Sequence, residues 1–191
     1  RAAWRVFAQN FHLFRGTPSS MWLNHVFHEV FGLRTRLDAG SADDYYDTIT
    51  GALQTDAFRP RALFERFDIE VIATTEGPLD PLTHHQTIRD SGWGGRVLTA
   101  YRPDEVVDPE HEAFGTALQR FGEITGEDVH SWDGYLRAHR NRRAFFASLG
   151  ATSTDHGHES ALTANLSDAE ARALFETILH GDFTPAQAAL F

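Results

Sequence analysis

The chain predicts an α/β fold: an all-helical region, then parallel strands separated by helical sequence. Two observations carry this reading. Three short apolar stretches each run straight into charged or hydroxyl-bearing residues: Ile69-Glu70-Val71-Ile72-Ala73-Thr74-Thr75, Arg96-Val97-Leu98-Thr99-Ala100-Tyr101-Arg102 and Gly150-Ala151-Thr152-Ser153-Thr154-Asp155. Helical sequence lies between them, and crossover helices cover the flanks of a parallel sheet while leaving the strand ends open. Chemistry then collects at the C-terminal strand ends, which points first at Arg102 and Asp155.

The elements follow in order. Trp4, Phe7, Phe11 and Phe14 recur at steps of three and four, one face of a helix. Thr17-Pro18 reads as an N-cap with proline at the first helical position. Trp22, Val26 and Val30 line up behind it, with Leu23 and Phe27 beside them, and Gly32 is placed to end that helix. Ser41 with Asp44 resembles a capping box ahead of Tyr45, Ile49 and Leu53, and residues 60–67 form a short helix into the first strand. Aromatic stripes of this kind read as core.

From Ile69 the rhythm becomes strand, helix, strand. Asp80-Pro81 opens a helix through about Arg89, and Ser91-Gly92-Trp93-Gly94-Gly95 turns into the second strand. Asp108-Pro109 opens another helix, with Phe114, Leu118, Phe121 and Ile124 on one face. Residues 131–149 make a further helix closed by Gly150, after which the third strand follows at once. Ser167 with Glu170 is a second capping box, and Thr184-Pro185 starts the last helix. The division expected is helical over 1–67 and α/β over 68–191, with strands near 69–75, 96–101 and 150–154. Three parallel strands are too few to close a barrel and leave an open edge.

Composition narrows the function. With 191 residues, 41% hydrophobic and 23% charged, the chain reads as one ordinary globular domain. No apolar run approaches the roughly 20 residues that span a bilayer, so no membrane partner is expected and a soluble, cytoplasmic protein is. A net charge of −10 argues against nucleic acid, whose binding is driven by basic surface. All 17 basic residues are arginine, the side chain suited to planar capture of carboxylates. Without lysine or cysteine there is no Schiff base, thiolate nucleophile, disulfide or Cys-type zinc site. The chain opens on Arg1 and closes at Leu190-Phe191 within an apolar helical pattern, so it is expected to be a piece of a longer protein.

Among single residues, Arg102 at a strand mouth suits a carboxylate or a polyol oxygen, the alternatives being a structural contact with Asp104 or a solvated loop arginine. Asp155 suits a general base, a metal ligand or an acceptor for a sugar hydroxyl, the alternative being a turn or cap. His156 and His158 share one face only if a strand continues through Gly157. His84 and His85 diverge on a helix and read as surface and capping residues. Thr74-Thr75-Glu76 closes the first strand, where its hydroxyls either line a site or cap a turn. Arg140, Arg142 and Arg143 read as a solvated face. No G-x-S-x-G elbow, G-x-G-x-x-G or P-loop is present.

Taken together, several segments resemble the uronate isomerase family, the sugar-acid isomerase branch of the metal-dependent amidohydrolase superfamily. They are Trp22-Leu23-Asn24-His25 with Phe31-Gly32-Leu33, then Val71-Ile72-Ala73-Thr74-Thr75-Glu76-Gly77-Pro78-Leu79-Asp80 with His84-His85, then Tyr101-Arg102-Pro103-Asp104 and Ser153-Thr154-Asp155-His156-Gly157. The resemblance implies an incomplete portion of a distorted (β/α)8 TIM-like barrel, holding strands two to four, with the helical region as an insertion after strand one. It implies interconversion of D-glucuronate with D-fructuronate and of D-galacturonate with D-tagaturonate. Arg102 would bind the substrate, a small-molecule sugar acid, and Asp155 would lie in the active site as the catalytic residue. A divalent metal, zinc foremost, belongs to the full-length family. Its His-x-His would precede Arg1 and its later ligands would follow Phe191, so no metal is expected on this chain and the piece alone is expected to be inactive. A homo-oligomer is compatible with all of this. Two other readings stand beside it: a metal-dependent hydrolase of the same superfamily, and a non-catalytic interaction module.

Overall fold

Short helices dominate residues 1–69. The computed structural model describes residues 1–157 and 163–191, which cluster into two compact units, 1–69 and 70–191. The first unit holds α1 (Ala2–Asn10), α2 (Pro18–His25), α3 (Ala42–Leu53) and α4 (Pro60–Arg66). Thr17 Oγ1 accepts from the Ser20 N–H with Pro18 at the first helical position, as its sequence predicts. Gly32 adopts φ +71°, the left-handed conformation that stops the helix after a wide turn over Val26–Val30.

Ala8, Phe11, Phe27, Leu37 and Tyr45 form this unit's core, flanked by Trp4, Phe7 and Leu23. The expected stripe is only partly buried. Trp22 is 65% exposed and Val26 36%, because the buried line runs through Leu23 and Phe27 instead. The wide turn over Val26–Val30 carries more residues per turn and re-phases the face from there on. Ser41 makes no cap. Its hydroxyl donates to Arg36 O at 2.7 Å and accepts from Asp38 N at 3.0 Å, so the loop before α3 has taken it.

The second unit holds a parallel pair, β1 (Val71–Glu76) and β2 (Arg96–Tyr101), in register from Val71 opposite Arg96 to Glu76 opposite Tyr101. The β-branched run Val71-Ile72 and Thr74-Thr75 suits a pleated surface. Between the strands lies α5 (Thr83–Asp90), and after them α6 (Asp104–Val107), α7 (Phe114–Thr125), α8 (Trp132–Ser148), α9 (Asp168–His180) and α10 (Pro185–Leu190). The capping box at Ser167/Glu170 forms, and Thr184 pairs with Gln187 in another. Val106, Phe114, Leu118, Phe121, Tyr135, Phe175 and Ile178 build the main core, and Leu82, Tyr101 and Phe146 a smaller one against the sheet.

Several further expectations are corrected here. The third strand is reduced to one parallel bridge between Thr154 and Tyr101, so the sheet has two strands among the described residues. The helix expected at Asp80-Pro81 starts at Thr83, and the one expected at Asp108-Pro109 starts at Phe114; Ile124, expected on its apolar face, is 37% exposed. Arg142 is not on a solvated face. It is 7% exposed, and its Nε and guanidinium NH2 donate to the carbonyls of Pro78 and Asp80 at 2.7 and 2.8 Å. Among the described residues no helix is long and apolar enough to cross a membrane.

Candidate active site

Three pieces of backbone meet at the C-terminal end of the sheet. Arg102 N–H donates to Glu76 O at 3.0 Å, which continues the ladder one residue past β2. Tyr101 then spans the other way: its N–H donates to Ser153 O at 3.3 Å, and its carbonyl accepts from Asp155 N at 3.0 Å. These bonds hold the residues after Glu76, Tyr101 and Thr154 side by side. Arg102 and Asp155, 53 residues apart, thereby become neighbours, and an Arg102 guanidinium NH2 donates to Asp155 Oδ2.

The carboxylate of Asp155 has two further donors, Thr75 Oγ1 at 3.1 Å and the His156 N–H at 2.9 Å. The hydrogen bond from Arg102 is the largest cause holding its carboxyl below the usual aspartate range; Thr75, the Arg102 charge and the His156 N–H add to it. Both side chains remain about 40% exposed (42% for Arg102, 40% for Asp155). Exposed ion pairs add little to stability, whereas a fully buried pair leaves an uncompensated charge when opened. This pair can therefore exchange Asp155 for a ligand at small cost.

Asp104 completes the group. Its Oδ2 accepts from the Gly157 N–H at 2.7 Å and lies 3.9 Å from Arg102 Nε, and its Oδ1 is 3.8 Å from His156 Nδ1. The structural alternative for Arg102 thus coexists with the Asp155 pair. Arg102 Nε is buried and makes no hydrogen bond among the described residues.

Behind the sheet end sits a second polar cluster. Thr99 Oγ1 donates to Glu76 Oε2, and His85 Nε2 lies 2.9 Å from Thr74 Oγ1 and 3.6 Å from Glu76 Oε1. His85 is only 10% exposed at its side chain, so it faces the sheet and is not the surface residue its neighbour His84 is. The clue available in the sequence was the 100° divergence of adjacent helical positions, which sends one of the two inward. His158 lies outside the described residues, so its pairing with His156 has no structural account. No group of three or more His, Asp or Glu is placed to hold a metal ion among the described residues.

The glucuronate isomerase family model matches residues 1–189. The chain belongs to that family. The uronate isomerase of Xanthomonas campestris pv. campestris (strain B100) is 76% identical over all 191 residues, and that of Phenylobacterium zucineum (strain HLK1) 65%. The glucuronate isomerase of Caulobacter crescentus superposes with a TM-score of 0.93 at 62% identity, over 99% of this chain and 40% of that one. The uronate isomerase of Thermotoga maritima, at 23% identity and a TM-score of 0.88 over 98% of this chain and 42% of that one, shares the fold. The chain spans about two fifths of the length of the curated relatives it matches (41% and 40% for the two named). This chain is α/β, with a two-stranded parallel sheet and many helices among the described residues.

Proposed function

We propose that this chain supplies a substrate-facing wall of an aldose–ketose isomerase acting on hexuronates, interconverting D-glucuronate with D-fructuronate and D-galacturonate with D-tagaturonate. The observation that carries the reading is the half-exposed Arg102–Asp155 pair at the C-terminal end of parallel strands, in a chain of this family. Such isomerisation moves a proton between C2 and C1 of the open-chain sugar acid while the C1 carbonyl becomes a hydroxyl and the C2 hydroxyl a carbonyl. Arg102 anchors carboxylate or hydroxyl oxygens, and Asp155 orients or deprotonates a hydroxyl. The two roles are linked. Arg102 is the main cause of the low proton affinity of Asp155, so a ligand that draws the guanidinium away makes the carboxylate a better base.

We also read residues 68–191 as strands two to four of a (β/α)8 barrel, with the helical region 1–67 as an insertion after strand one. The parallel β1–β2 pair joined by α5, and the extended segment that bridges at Thr154, support it. So do Val71 and Ile72, apolar yet 41% and 37% exposed, and an open cleft of about 450 Å³ beside residues 151–154. The divalent metal implied by the resemblance finds no ligand set among the described residues.

The test uses an isomerase of the family's full length carrying this segment, with glucuronate as substrate and ketose formation as the readout. Arg102→Met is expected to lower kcat/KM by roughly tenfold to a hundredfold, through loss of a charge-assisted contact. Unchanged kinetics would remove Arg102 from the site. Asp155→Asn is expected to lower kcat, and full activity across the pH range would end its part in proton transfer or orientation. Turnover of lactones or amides with no action on uronates would replace isomerisation by hydrolysis.

A further inference from the structure

Asp104 makes contacts that the roles of Arg102 and Asp155 leave unexplained. Its Oδ2 is the acceptor for Gly157 N–H, two residues beyond Asp155 and across 53 positions of sequence. The approach is close enough that a Cβ on Gly157 would lie 2.6 Å from that same oxygen. Gly157 has no left-handed backbone to demand a glycine, so what a side chain there would meet is this carboxylate, which would have to shift. The same Oδ2 is also the carboxylate oxygen 3.9 Å from Arg102 Nε, an ion-pair distance from a buried N–H that has no hydrogen-bond partner among the described residues.

From this geometry we infer that Asp104 is a positioning residue of the site, acting on both members of the pair: it pins the 155–157 segment through Gly157 and steadies the Nε edge of the Arg102 guanidinium. The inference rests on the isomerase reading above and deepens it. A ligand competes with Asp155 for the outer edge of Arg102. While it does so, the guanidinium keeps its direction only if its inner edge is held, and the Asp155 carboxylate stays in reach only if its loop is held. A single carboxylate meets both requirements. Its contribution is to ligand capture and orientation, made through the guanidinium and the loop that it holds.

The experiment compares Asp104→Ala, Asp104→Asn and Gly157→Ala with the parent and with Arg102→Met, all in the full-length isomerase, reading kcat, KM and the thermal midpoint. Asp104→Ala is expected to raise KM for glucuronate about tenfold with a smaller change in kcat. Asp104→Asn keeps an oxygen for the Gly157 N–H but loses the charge, and is expected to raise KM by about threefold. Gly157→Ala is expected to impair the parent and to be relieved in the Asp104→Ala background, because the clashing carboxylate is then gone. The inference is overturned if Arg102→Met is impaired while both Asp104 variants keep the parental KM. It is equally overturned if Asp104→Ala lowers only the thermal midpoint, with KM unchanged for the folded enzyme, or if Gly157→Ala is as harmful with Asp104 as without it. Failure of the isomerase reading looks different: Arg102→Met is then itself without effect, or the parent does not act on uronates.

Discussion

His139 stands in α8 with its ring held by aromatic neighbours: Tyr135 at 4.5 Å between ring centroids, Phe121 at 4.9 Å, and Tyr101, whose hydroxyl lies 3.0 Å from His139 Nδ1. Its Nε2 is buried without a hydrogen-bond partner among the described residues, so neither ring nitrogen has a carboxylate to welcome a second proton. Burial, with the Arg143 charge adding to it, pushes its pKa down to about 4 from 6.5. The native state therefore holds this histidine neutral where the unfolded chain protonates it. A depressed native pKa gives stability that is fully present above pH 6.5 and is lost as pH falls toward 4. Between pH 7 and pH 5 the expected loss is about 2 kcal/mol. Urea unfolding at the two pH values checks it, and His139→Gln should flatten that difference; an undiminished slope in the variant would assign the acid sensitivity elsewhere. At this scale the sequence was informative where chemistry is local. Arg102 and Asp155 stand out because each follows an apolar strand-like run. Asp104, Thr75 and the inward turn of His85 depend on partners 11 to 80 residues away, which no local pattern encodes.

Helix ends show the same division between local and distant causes. Thr17-Pro18, Ser167/Glu170 and Thr184-Pro185 all cap as read, because every atom of a capping box lies within four residues. Ser41 and Asp80 carry the same signal and do not cap. The Ser41 hydroxyl is committed to residues 36 and 38, and Asp80 Oδ1 accepts instead from Leu82 N at 2.6 Å in a turn that leaves Leu82 left-handed at φ +55°. Arg142 of α8 fixes that turn, taking the Pro78 and Asp80 carbonyls with two arms of its fork while its guanidinium stacks 4.3 Å from the Phe145 ring. Truncation leaves the buried Pro78 carbonyl and the part-buried Asp80 carbonyl without these donors, so Arg142→Leu should cost about 2–4 kcal/mol. Arg142→Lys should recover little, since an ammonium cannot span both acceptors with the planar fork's geometry. Denaturant midpoints measure both, and a lysine variant as stable as the parent would show that one donor suffices.

At the scale of the whole molecule, the α/β class was legible because two of the three strand-like runs pair in parallel as read. The third was not, because residues 150–154 have strand composition but a strand also needs a ladder, and Tyr101 alone supplies one bridge. Composition reports what a segment can do; pairing depends on what lies beside it. The barrel reading makes this distinction measurable at Ile72, which is apolar, in β1 and 37% exposed in the 191-residue chain. On an exposed position a charge is nearly neutral, within roughly 0.5 kcal/mol, whereas a carboxylate without a partner in a packed interior costs several kcal/mol. Ile72→Asp should therefore leave the thermal midpoint of the 191-residue chain almost where it was, and lower that of a full-length family member carrying this segment by many degrees. Circular dichroism melts of the two pairs of proteins decide it. Equal and small shifts in both would mean that β1 keeps an open face in the complete enzyme, and the sheet then does not continue into a closed barrel on that side.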